Sequence, residues 1–211
     1  LDETITRFEN EGKTAMLVTV AEQAVGIVAV ADTVKPDSKA AVAALHALGI
    51  KVVMVTGDNE RTARHIAAQV GVDEIMAGVL PEGKVDAIRR LQGQYGEHVA
   101  MVGDGINDAP ALKQANVGIA IGAGADVAIE AADVTLVKGE LTRVVEAIRL
   151  SKATFSKIVQ NLFWAWVYNV AAIPIAALGL LHPMIGVVAM TASSLSVIGN
   201  SLLLRRAPIR F

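Results

Sequence analysis

An acidic, glycine-containing segment at residues 103–110, GDGINDAP, carries the residue types best suited to chemistry. It follows the apolar run 99–102 and precedes a stretch of helix formers, a pattern typical of a strand, a loop and a helix. Its glycines permit a tight turn around Asp104, and Asp104 and Asp108 bring two carboxylates into the loop. Magnesium commonly binds one or two protein carboxylates and completes its shell with water and phosphate oxygens. The segment therefore predicts a magnesium site that serves phosphoryl chemistry.

Two other interpretations of this segment are a calcium-binding loop and a solvated turn. A calcium-binding loop requires acidic residues that repeat over about twelve positions and end in a glutamate. That repeat is missing here, so the magnesium interpretation is favoured.

Two further segments carry side chains that suit a phosphoryl group. Thr56-Gly57-Asp58 follows the apolar run 51–55, and Lys84 lies in the first turn of a predicted helix that Pro81 begins. Each has an ordinary alternative, because Thr-Gly-Asp is common turn chemistry and lysines are mostly solvated on surfaces. Together with the acidic loop, they supply a hydroxyl, a cation and magnesium carboxylates for one phosphate.

The elements that position these residues change in type along the chain. Residues 1–11 predict a helix that ends at Gly12, and the valine-rich runs 14–20 and 24–31 predict a hairpin whose turn is the polar pair Glu22-Gln23. Strands then alternate with helices, which predicts an α/β fold with a parallel sheet, helices on both faces and active residues at the carboxyl ends of the strands. The predicted helices are 38–48, 59–70 and 81–94, and the predicted strands are 51–55, 75–79, 99–102, 117–121 and 134–137.

Thr56-Gly57-Asp58, Pro81 with Lys84, and the 103–110 segment resemble the phosphorylation domain of P-type ion-pumping ATPases. The resemblance implies a haloacid-dehalogenase-like, doubly wound parallel sheet, in which an aspartate at the end of a central strand accepts the phosphoryl group of ATP. That aspartate stands in an Asp-Lys-Thr-Gly-Thr motif, which this sequence lacks, so the nucleophile strand is expected upstream. Asp32 also ends an apolar run, but Val34-Lys35-Pro36 follows it, and Asp32 is interpreted as the start of the domain.

The resemblance also implies a role for each of these side chains. Asp104 and Asp108 ligate magnesium, and Asn107 helps to order the metal and the phosphate. Thr56, Gly57 and Asp58 form the loop that contacts the phosphoryl group, and Lys84 neutralises its charge. The same resemblance implies that residues 1–31 end a nucleotide-binding domain and that residues 32–145 are the later part of the phosphorylation domain.

Two long stretches without charge, residues 158–181 and 184–204, follow the α/β part. The first would be roughly 36 Å long as a helix, enough to cross a bilayer, and the second is of similar length. His182-Pro183 separates them, and the positive-inside rule puts both outer ends in the cytoplasm. The flanking basic residues are Arg143, Arg149, Lys152, Lys157, Arg205, Arg206 and Arg210. The alternative is a buried hairpin of a soluble protein, but we predict two transmembrane helices and a cytoplasmic tail within residues 146–211.

Polar residues within these spans are grouped by helix face. In the first span Asn161 and Tyr168 nearly superimpose on the helical wheel, with Asn169 beside Tyr168, and Pro174 is expected to kink the helix. The ordinary role of such residues is hydrogen bonding between helices. Met190 favours an ion site, because its thioether suits copper(I) and neither span holds the carboxylate that a hard divalent ion would recruit. One sector of about 120° in the second span holds Met190, Ser193, Ser194, Asn200 and Ser201.

These spacings are similar to those of copper(I)-transporting P-type ATPases, and the resemblance implies a copper pathway. The zinc, cadmium and lead branch is expected to show a lysine and an aspartate in these helices, and both are absent. The closest alternative is the CopB-like branch or another heavy-metal P-type ATPase. The implied pathway residues are Tyr168, Asn169, Met190, Ser193 and Ser194.

Composition limits the remaining function classes. The 211-residue chain is 53% hydrophobic and 19% charged with a net charge of -2, which argues against nucleic acid as a partner. It contains no cysteine and so no thiolate metal site. Its start, Leu1-Asp2-Glu3, shows no signal-peptide pattern and is interpreted as continuing from a longer chain. A soluble haloacid-dehalogenase-like phosphatase and a non-catalytic, membrane-anchored metal-binding fragment are the alternatives.

The resemblance finally implies the setting in which the chain works. It predicts the carboxyl-terminal portion of a copper(I) export pump that uses Mg2+ and ATP, with Cu+ as the transported ion. The expected partners are the upstream part of the same pump, membrane lipid and the copper(I) ion, with a copper chaperone as a further candidate. The expected location is the cell (inner) membrane, and the chain alone, without the acceptor aspartate, is expected to be inactive.

Overall fold

The computed structural model describes residues 2–30, 33–104, 106–122, 126–180 and 182–209. Contacts between residues divide the chain into two units, Leu1–Val145 and Glu146–Phe211. The interpretation of Asp32 and the flanking charge of Arg210 fall outside the described residues.

The chain begins with a helix and a hairpin. Helix α1 spans Asp2–Asn10, and β1 (Thr14–Val20) pairs antiparallel with β2 (Gln23–Val30), which confirms the predicted hairpin. Its turn lies at Ala21 and Glu22, one residue earlier than predicted, with φ angles of 48° and 64°. A tight hairpin turn of the favoured twist needs two positive φ angles, and the sequence has no glycine or asparagine there to mark the position.

Strands and helices then alternate, and every strand pairing in this part of the described chain is parallel, as predicted. The elements are α2 (Ser38–Ala47), β3 (Val53–Val55), α3 (Glu60–Val70), β4 (Glu74–Met76), α4 (Gly83–Tyr95), β5 (Ala100–Gly103), α5 (Ala109–Gln114), β6 (Val117–Ile121), α6 (Asp126–Ala131) and β7 (Val134–Leu136). β3 pairs with β4, and β5, β6 and β7 pair in that order. No pairing joins β3 to β5 within the described ranges, so two short sheets stand where one was predicted.

Local signals set the helix ends in this unit. The Asn59 side chain accepts hydrogen bonds from the backbone N–H groups of Arg61 and Thr62 at 3.1 and 3.0 Å and so caps α3. Gly71 ends α3 in the left-handed conformation at φ 84°, which glycine adopts without steric cost. α4 begins at Gly83 rather than at Pro81, so Lys84 is the second residue of the helix.

One hydrophobic cluster supports both parallel sheets. Ile88 and Leu91 of α4 pack with Met101 of β5, and each is at most 9% exposed. Val53 of β3 and Met76 of β4 pack against the same cluster. Because burying a side chain of this size stabilises the fold by about 1.5–3 kcal/mol, the cluster fixes the strands whose ends carry the polar loops.

The second unit is built from two long helices. Helix α7 spans Thr142–Ala177 and runs through Pro174 as one helix, and α8 spans Pro183–Leu202 and continues as a short 3-10 turn at Leu203–Arg206. Both are long and apolar enough to cross a bilayer. Large apolar side chains such as Phe155 and Trp166 are exposed along α7, as expected for a surface that faces lipid or other helices.

Candidate functional site

A buried ion pair links the acidic loop to α4. Asp108 ends the 3-10 turn Ile106–Asp108 that follows β5, and its Oδ1 accepts a hydrogen bond from the Lys84 Nζ at 2.6 Å. The two side chains are only 12% and 18% exposed. The structure thus brings two of the sequence-predicted site residues into direct contact, in a setting where charges are weakly screened by water.

Gly103 makes room for this pair. A Cβ atom at Gly103 would lie 2.7 Å from the Asp108 Cβ and 2.8 Å from its Oδ2. Real carbon atoms do not approach so closely without displacing a neighbour. Gly103 is therefore required for its size, because any other residue would push Asp108 away from Lys84.

Asp104 has a different environment from Asp108. Its side chain is 67% exposed, and its Oδ2 lies 3.9 Å from the Lys35 Nζ. Asn107 is exposed beside it in the 3-10 turn. An exposed carboxylate four residues before a second carboxylate, which has one oxygen bound to a lysine, is a donor set that fits magnesium, because this ion needs few protein ligands and keeps much of its water. No group of three or more acidic or histidine side chains that could hold a metal occurs in the described ranges.

The Thr56-Gly57-Asp58 loop is held by internal hydrogen bonds. The Thr56 Oγ1 donates to the Asp58 Oδ2 at 2.9 Å, and the backbone N–H of Asp58 donates to the Thr56 Oγ1 at 3.1 Å. The N–H groups of Gly78 and Val79, in the connection between β4 and α4, donate to the carbonyls of Asp58 and Thr56. The loop is thus fixed to the connection that leads into α4, but among the described residues no hydrogen bond joins Thr56 or Asp58 to Lys84 or Asp108.

A polar network joins α7 and α8 near one end. The Asn200 Nδ2 donates to the Asn161 Oδ1, and the Asn161 Nδ2 donates to the Ser201 Oγ, both at 2.8 Å. The Lys157 Nζ donates to the Asn200 Oδ1 at 2.9 Å. The side-chain amides of both Asn161 and Asn200 are hydrogen-bonded in this network. Asn161 and Asn200 therefore link α7 to α8.

Some of the predicted copper-pathway residues are half-buried, and others are exposed. The hydroxyls of Tyr168 and Ser196 lie 3.1 Å apart across the helices, and Ser193 is half-buried on the same helix as Ser196. Met190 is 73% exposed, and the Oγ of the exposed Ser194 donates to the Met190 carbonyl at 3.1 Å. The Asn169 Nδ2 donates to the Ala165 carbonyl at 2.8 Å. The structure therefore does not bring Met190 into contact with Tyr168 within this chain.

The comparison with protein families concerns the first unit. Residues 1–116, more than half of the chain, match the family model described as a haloacid dehalogenase-like hydrolase. The chain belongs to this family. The haloacid-dehalogenase-like, α/β fold with parallel strands that the sequence predicted is confirmed.

The comparisons with whole proteins extend the similarity of this haloacid dehalogenase-like chain into the second unit. It is 58% identical over 97% of its length to a copper-exporting P-type ATPase of Staphylococcus saprophyticus, and 55% identical over 98% of its length to one of Staphylococcus aureus. It spans 26% of the length of each of these relatives. The predicted resemblance to the copper-transporting P-type ATPases is thereby confirmed.

A solved structure gives the same architecture. The crystal structure of a zinc-transporting PIB-type ATPase in the E2.Pi state matches 96% of this chain and 33% of that protein's chain, with a TM-score of 0.82 and 41% identity. Because the match covers 96% of this chain, it includes α7 and α8 as well as the first unit.

Sequence reasoning missed two residues that contact predicted site residues. Ser196 lies off the Met190 face of the helical wheel, yet it meets Tyr168. Lys35 was not among the predicted site residues, although Val34-Lys35-Pro36 argued against an acceptor motif at Asp32. In the structure the Lys35 Nζ lies 3.9 Å from the Asp104 Oδ2. No local signal predicts either contact, because each partner is far away along the chain.

Proposed function

We propose that this chain is the carboxyl-terminal portion of an ATP-driven copper(I) export pump. The observation that carries the proposal is α7, which begins at Thr142 within the first unit and continues without a break into a charge-free membrane span. In a soluble phosphatase such a helix would expose a long apolar surface to water, which is unfavourable. The named activity of the staphylococcal relatives, copper export, supports the same conclusion.

In this proposal the first unit supplies everything around the phosphoryl group except the nucleophile. Lys84 stabilises the negative charge of the transferring group while it holds Asp108 in place, and the Thr56 hydroxyl and the Gly57 backbone position its oxygens. Asn107 orders the same oxygens from the acidic loop. Asp104 and Asp108 would hold Mg2+, which when bound supplies further neutralisation of phosphate charge.

The acceptor aspartate comes from the upstream part of the same pump. The break between the β3–β4 and β5–β6–β7 sheets supports this, because a strand inserted there would join both groups into one parallel sheet. Its carboxyl end would then lie between the loops of Thr56 and Asp104. Residues 1–31 are the end of the nucleotide-binding domain in this assignment, residues 32–145 the later part of the phosphorylation domain, and residues 146–211 the last two membrane helices.

Copper(I) is the transported ion that the membrane helices favour. Residues 158–204 contain no acidic side chain, and the soft thioether of Met190 suits Cu+ better than a hard divalent cation. Tyr168, Asn169, Ser193 and Ser194 complete the pathway. The basic residues at both outer ends favour a cytoplasmic location for those ends in the cell membrane, and ATP, lipid and a copper chaperone are the further partners.

One observation favours a second candidate, a pump for another heavy metal. The zinc-transporting protein shares 41% identity and both units with this chain. The experiment that separates the two measures phosphorylation of the full-length pump by ATP in proteoliposomes with Cu+ or Zn2+. We expect an acid-stable phosphoenzyme that depends on Cu+ and Mg2+. Stimulation by Zn2+ alone would favour the second candidate, and no phosphoenzyme with either ion would favour a non-catalytic fragment.

A further inference from the structure

A three-residue segment between β2 and α2, Lys35-Pro36-Asp37, has contacts in two directions. At one end, the Lys35 Nζ lies 3.9 Å from the Asp104 Oδ2 and donates a hydrogen bond to the Gly139 carbonyl at 3.1 Å. At the other end, the Asp37 side chain contacts Thr142, the first residue of α7. The segment therefore connects the acidic loop with the start of the helix that enters the membrane.

The Asp37 carboxylate serves α7 instead of its own helix. Asp37 is the N-cap residue of α2 by position, but its side chain makes no capping hydrogen bond there. Its Oδ2 instead accepts from the backbone N–H of Thr142 at 2.9 Å and from the Thr142 Oγ1 at 3.3 Å. The first N–H groups of a helix lack partners within the helix, so a carboxylate at this point both satisfies a donor and complements the helix dipole.

The start of α7 is also anchored by packing. Val144 is 4% exposed and Val145 is fully buried. From there the same helix extends to Ala177. Because α7 is one continuous hydrogen-bonded helix, a displacement of its first turn would move the rest of the helix with it.

The contact with Asp104 is weak and can be exchanged. Lys35 and Asp104 have side chains that are 46% and 67% exposed, and 3.9 Å is too long for a hydrogen bond. Such exposed pairs contribute little to stability, so a bound cation at Asp104 competes with Lys35 readily. Between the two ends, Pro36 fixes its own φ angle and favours an extended conformation for Lys35, which makes the segment stiff.

We propose that Lys35-Pro36-Asp37 is a coupling segment, in which Lys35 positions Asp104 and senses its occupancy while Asp37 transmits the change to α7. The inference rests on the proposed function only in taking Asp104 as a magnesium ligand. Binding of Mg2+ with phosphate takes Asp104 away from Lys35, which leaves Lys35 held by Gly139 alone and shifts the Asp37 cap.

The test uses the full-length pump in detergent with Mg2+ and inorganic phosphate as the probe. Hydrogen exchange of peptides that cover residues 139–150 is measured with and without the probe, together with the amount of phosphoenzyme formed. In the wild-type protein we expect the probe to change exchange at the start of α7. In Asp37→Ala we expect phosphoenzyme to form while the change in exchange is lost, and Asp37→Asn should restore it, because asparagine caps helices as well as aspartate does.

Variants at Lys35 keep the test decisive if Asp37→Ala fails to fold. Lys35→Met removes only exposed contacts, and it should abolish the change in exchange and alter the Mg2+ concentration for half-maximal phosphorylation, while Lys35→Arg retains both. Lys39→Met, the same substitution on the exposed part of α2, is the matched control and should behave as wild type. A wild-type response in Lys35→Met and Asp37→Ala, or no probe-dependent change in the wild type, overturns the coupling segment. A wild-type pump that forms no phosphoenzyme instead refutes the proposed function.

Discussion

The two carboxylates of the acidic loop have the same chemistry but different surroundings. Asp108 is 8% exposed and forms an ion pair with Lys84. The Asp104 side chain is 67% exposed, so a metal ion can reach it from solvent. At the residue scale this gives Asp108 a structural role in addition to its proposed contact with Mg2+, whereas the role proposed for Asp104 is cation binding alone. A substitution at each position should therefore affect stability and activity in different proportions.

The first prediction compares Asp104→Asn with Asp108→Asn in the full-length pump. Asp104→Asn should change the free energy of unfolding by less than about 0.5 kcal/mol, as for other exposed sites, but weaken phosphorylation and its Mg2+ dependence. Asp108→Asn leaves the Lys84 cation without its counter-charge. Removing one partner of a fully buried pair costs about 3–5 kcal/mol, and the cost here is smaller because both side chains retain some exposure. Thermal unfolding and phosphoenzyme titration with Mg2+ measure both effects, and equal loss of stability in the two variants would contradict this division of roles.

The second prediction concerns Met190 as a copper ligand. Met190→Leu nearly conserves volume, and such swaps cost under about 1.5 kcal/mol even in a packed core. We expect the variant to fold and to form phosphoenzyme from inorganic phosphate, but to bind Cu+ more weakly against a competing chelator. Met184→Leu is the matched control, because Met184 lies on the same helix and is also exposed, at 64%. Unchanged Cu+ binding by Met190→Leu would remove this residue from the pathway.

At the element scale, the end of β5 must leave space for the Asp108 side chain. Gly103→Ala places a Cβ 2.7 Å from the Asp108 Cβ, so the strand end or the 3-10 turn has to move. We expect a loss of about 1–3 kcal/mol, typical of overpacking, with a decrease in phosphorylation because Lys84 and Asp108 separate. Gly93→Ala is the control, since a Cβ there meets no atom within 4 Å and alanine favours a helix. A Gly103→Ala pump with wild-type unfolding temperature and phosphorylation would show that the turn adapts freely.

A carboxylate also joins α2 to β3, and it gives this unit a pH dependence. The Asp73 Oδ2 accepts hydrogen bonds from the Val52 backbone N–H at 2.7 Å and from the His46 Nε2 at 2.8 Å. The Val52 hydrogen bond, followed by the His46 one, holds the Asp73 pKa below its usual value of 3.8. Because the folded pKa is the lower one, the stabilisation is complete above the unfolded pKa of about 3.9 and is lost as the pH falls through the folded pKa.

The fourth prediction follows from that sign. Asp73→Asn should lower the unfolding temperature of the pump at pH 6, and the difference from wild type should shrink as the pH falls below 3.8, the usual pKa of this side chain. Asp86→Asn removes an exposed carboxylate of α4 that pairs with the exposed Arg89, and so controls for the loss of a surface charge. Thermal unfolding at matched ionic strength measures the effect. A difference that is constant over the whole pH range would mean that the Asp73 charge adds nothing to stability.

Local signals explain which elements could be predicted. Asn59 and Gly71 mark the ends of α3 by their own backbone preferences, and the charge-free stretches 158–181 and 184–204 mark where α7 and α8 lie, although α7 begins earlier, at Thr142. The hairpin turn was misplaced by one residue, because Ala21 and Glu22 adopt positive φ angles that their side chains do not favour. The contact of Lys84 with Asp108 agrees with one predicted site, but contacts of Lys35 and Ser196 depend on how distant segments pack, which residue spacing does not encode.

At the scale of the whole molecule, the arrangement of strands explains why the predicted site is incomplete. The cluster around Ile88 and Met101 holds both parallel sheets, yet no strand pairing connects them in the described part of the chain. Thr56 and Asp104 lie on loops after β3 and β5, and Lys84 lies at the start of α4, which follows β4. A strand that pairs with both sheets would complete the hydrogen bonding and bring the acceptor aspartate between those loops.

The last prediction is that this chain forms no phosphoenzyme by itself, and that the upstream part of the pump becomes phosphorylated when the two parts are produced together. In the proposed function its carboxylates and lysine orient and neutralise a phosphoryl group, but phosphoryl transfer to the protein requires a nucleophile, and the sequence has no Asp-Lys-Thr-Gly-Thr motif. The measurement is covalent label retained after acid precipitation with radiolabelled ATP and Mg2+. We expect none from the chain alone, and label on the upstream part of the pump when the two parts are produced together in one membrane. A matched pair in which the upstream acceptor is changed from Asp to Asn should remain unlabelled. Label on this chain alone would reveal an acceptor within residues 1–211 and would remove the need for a shared sheet.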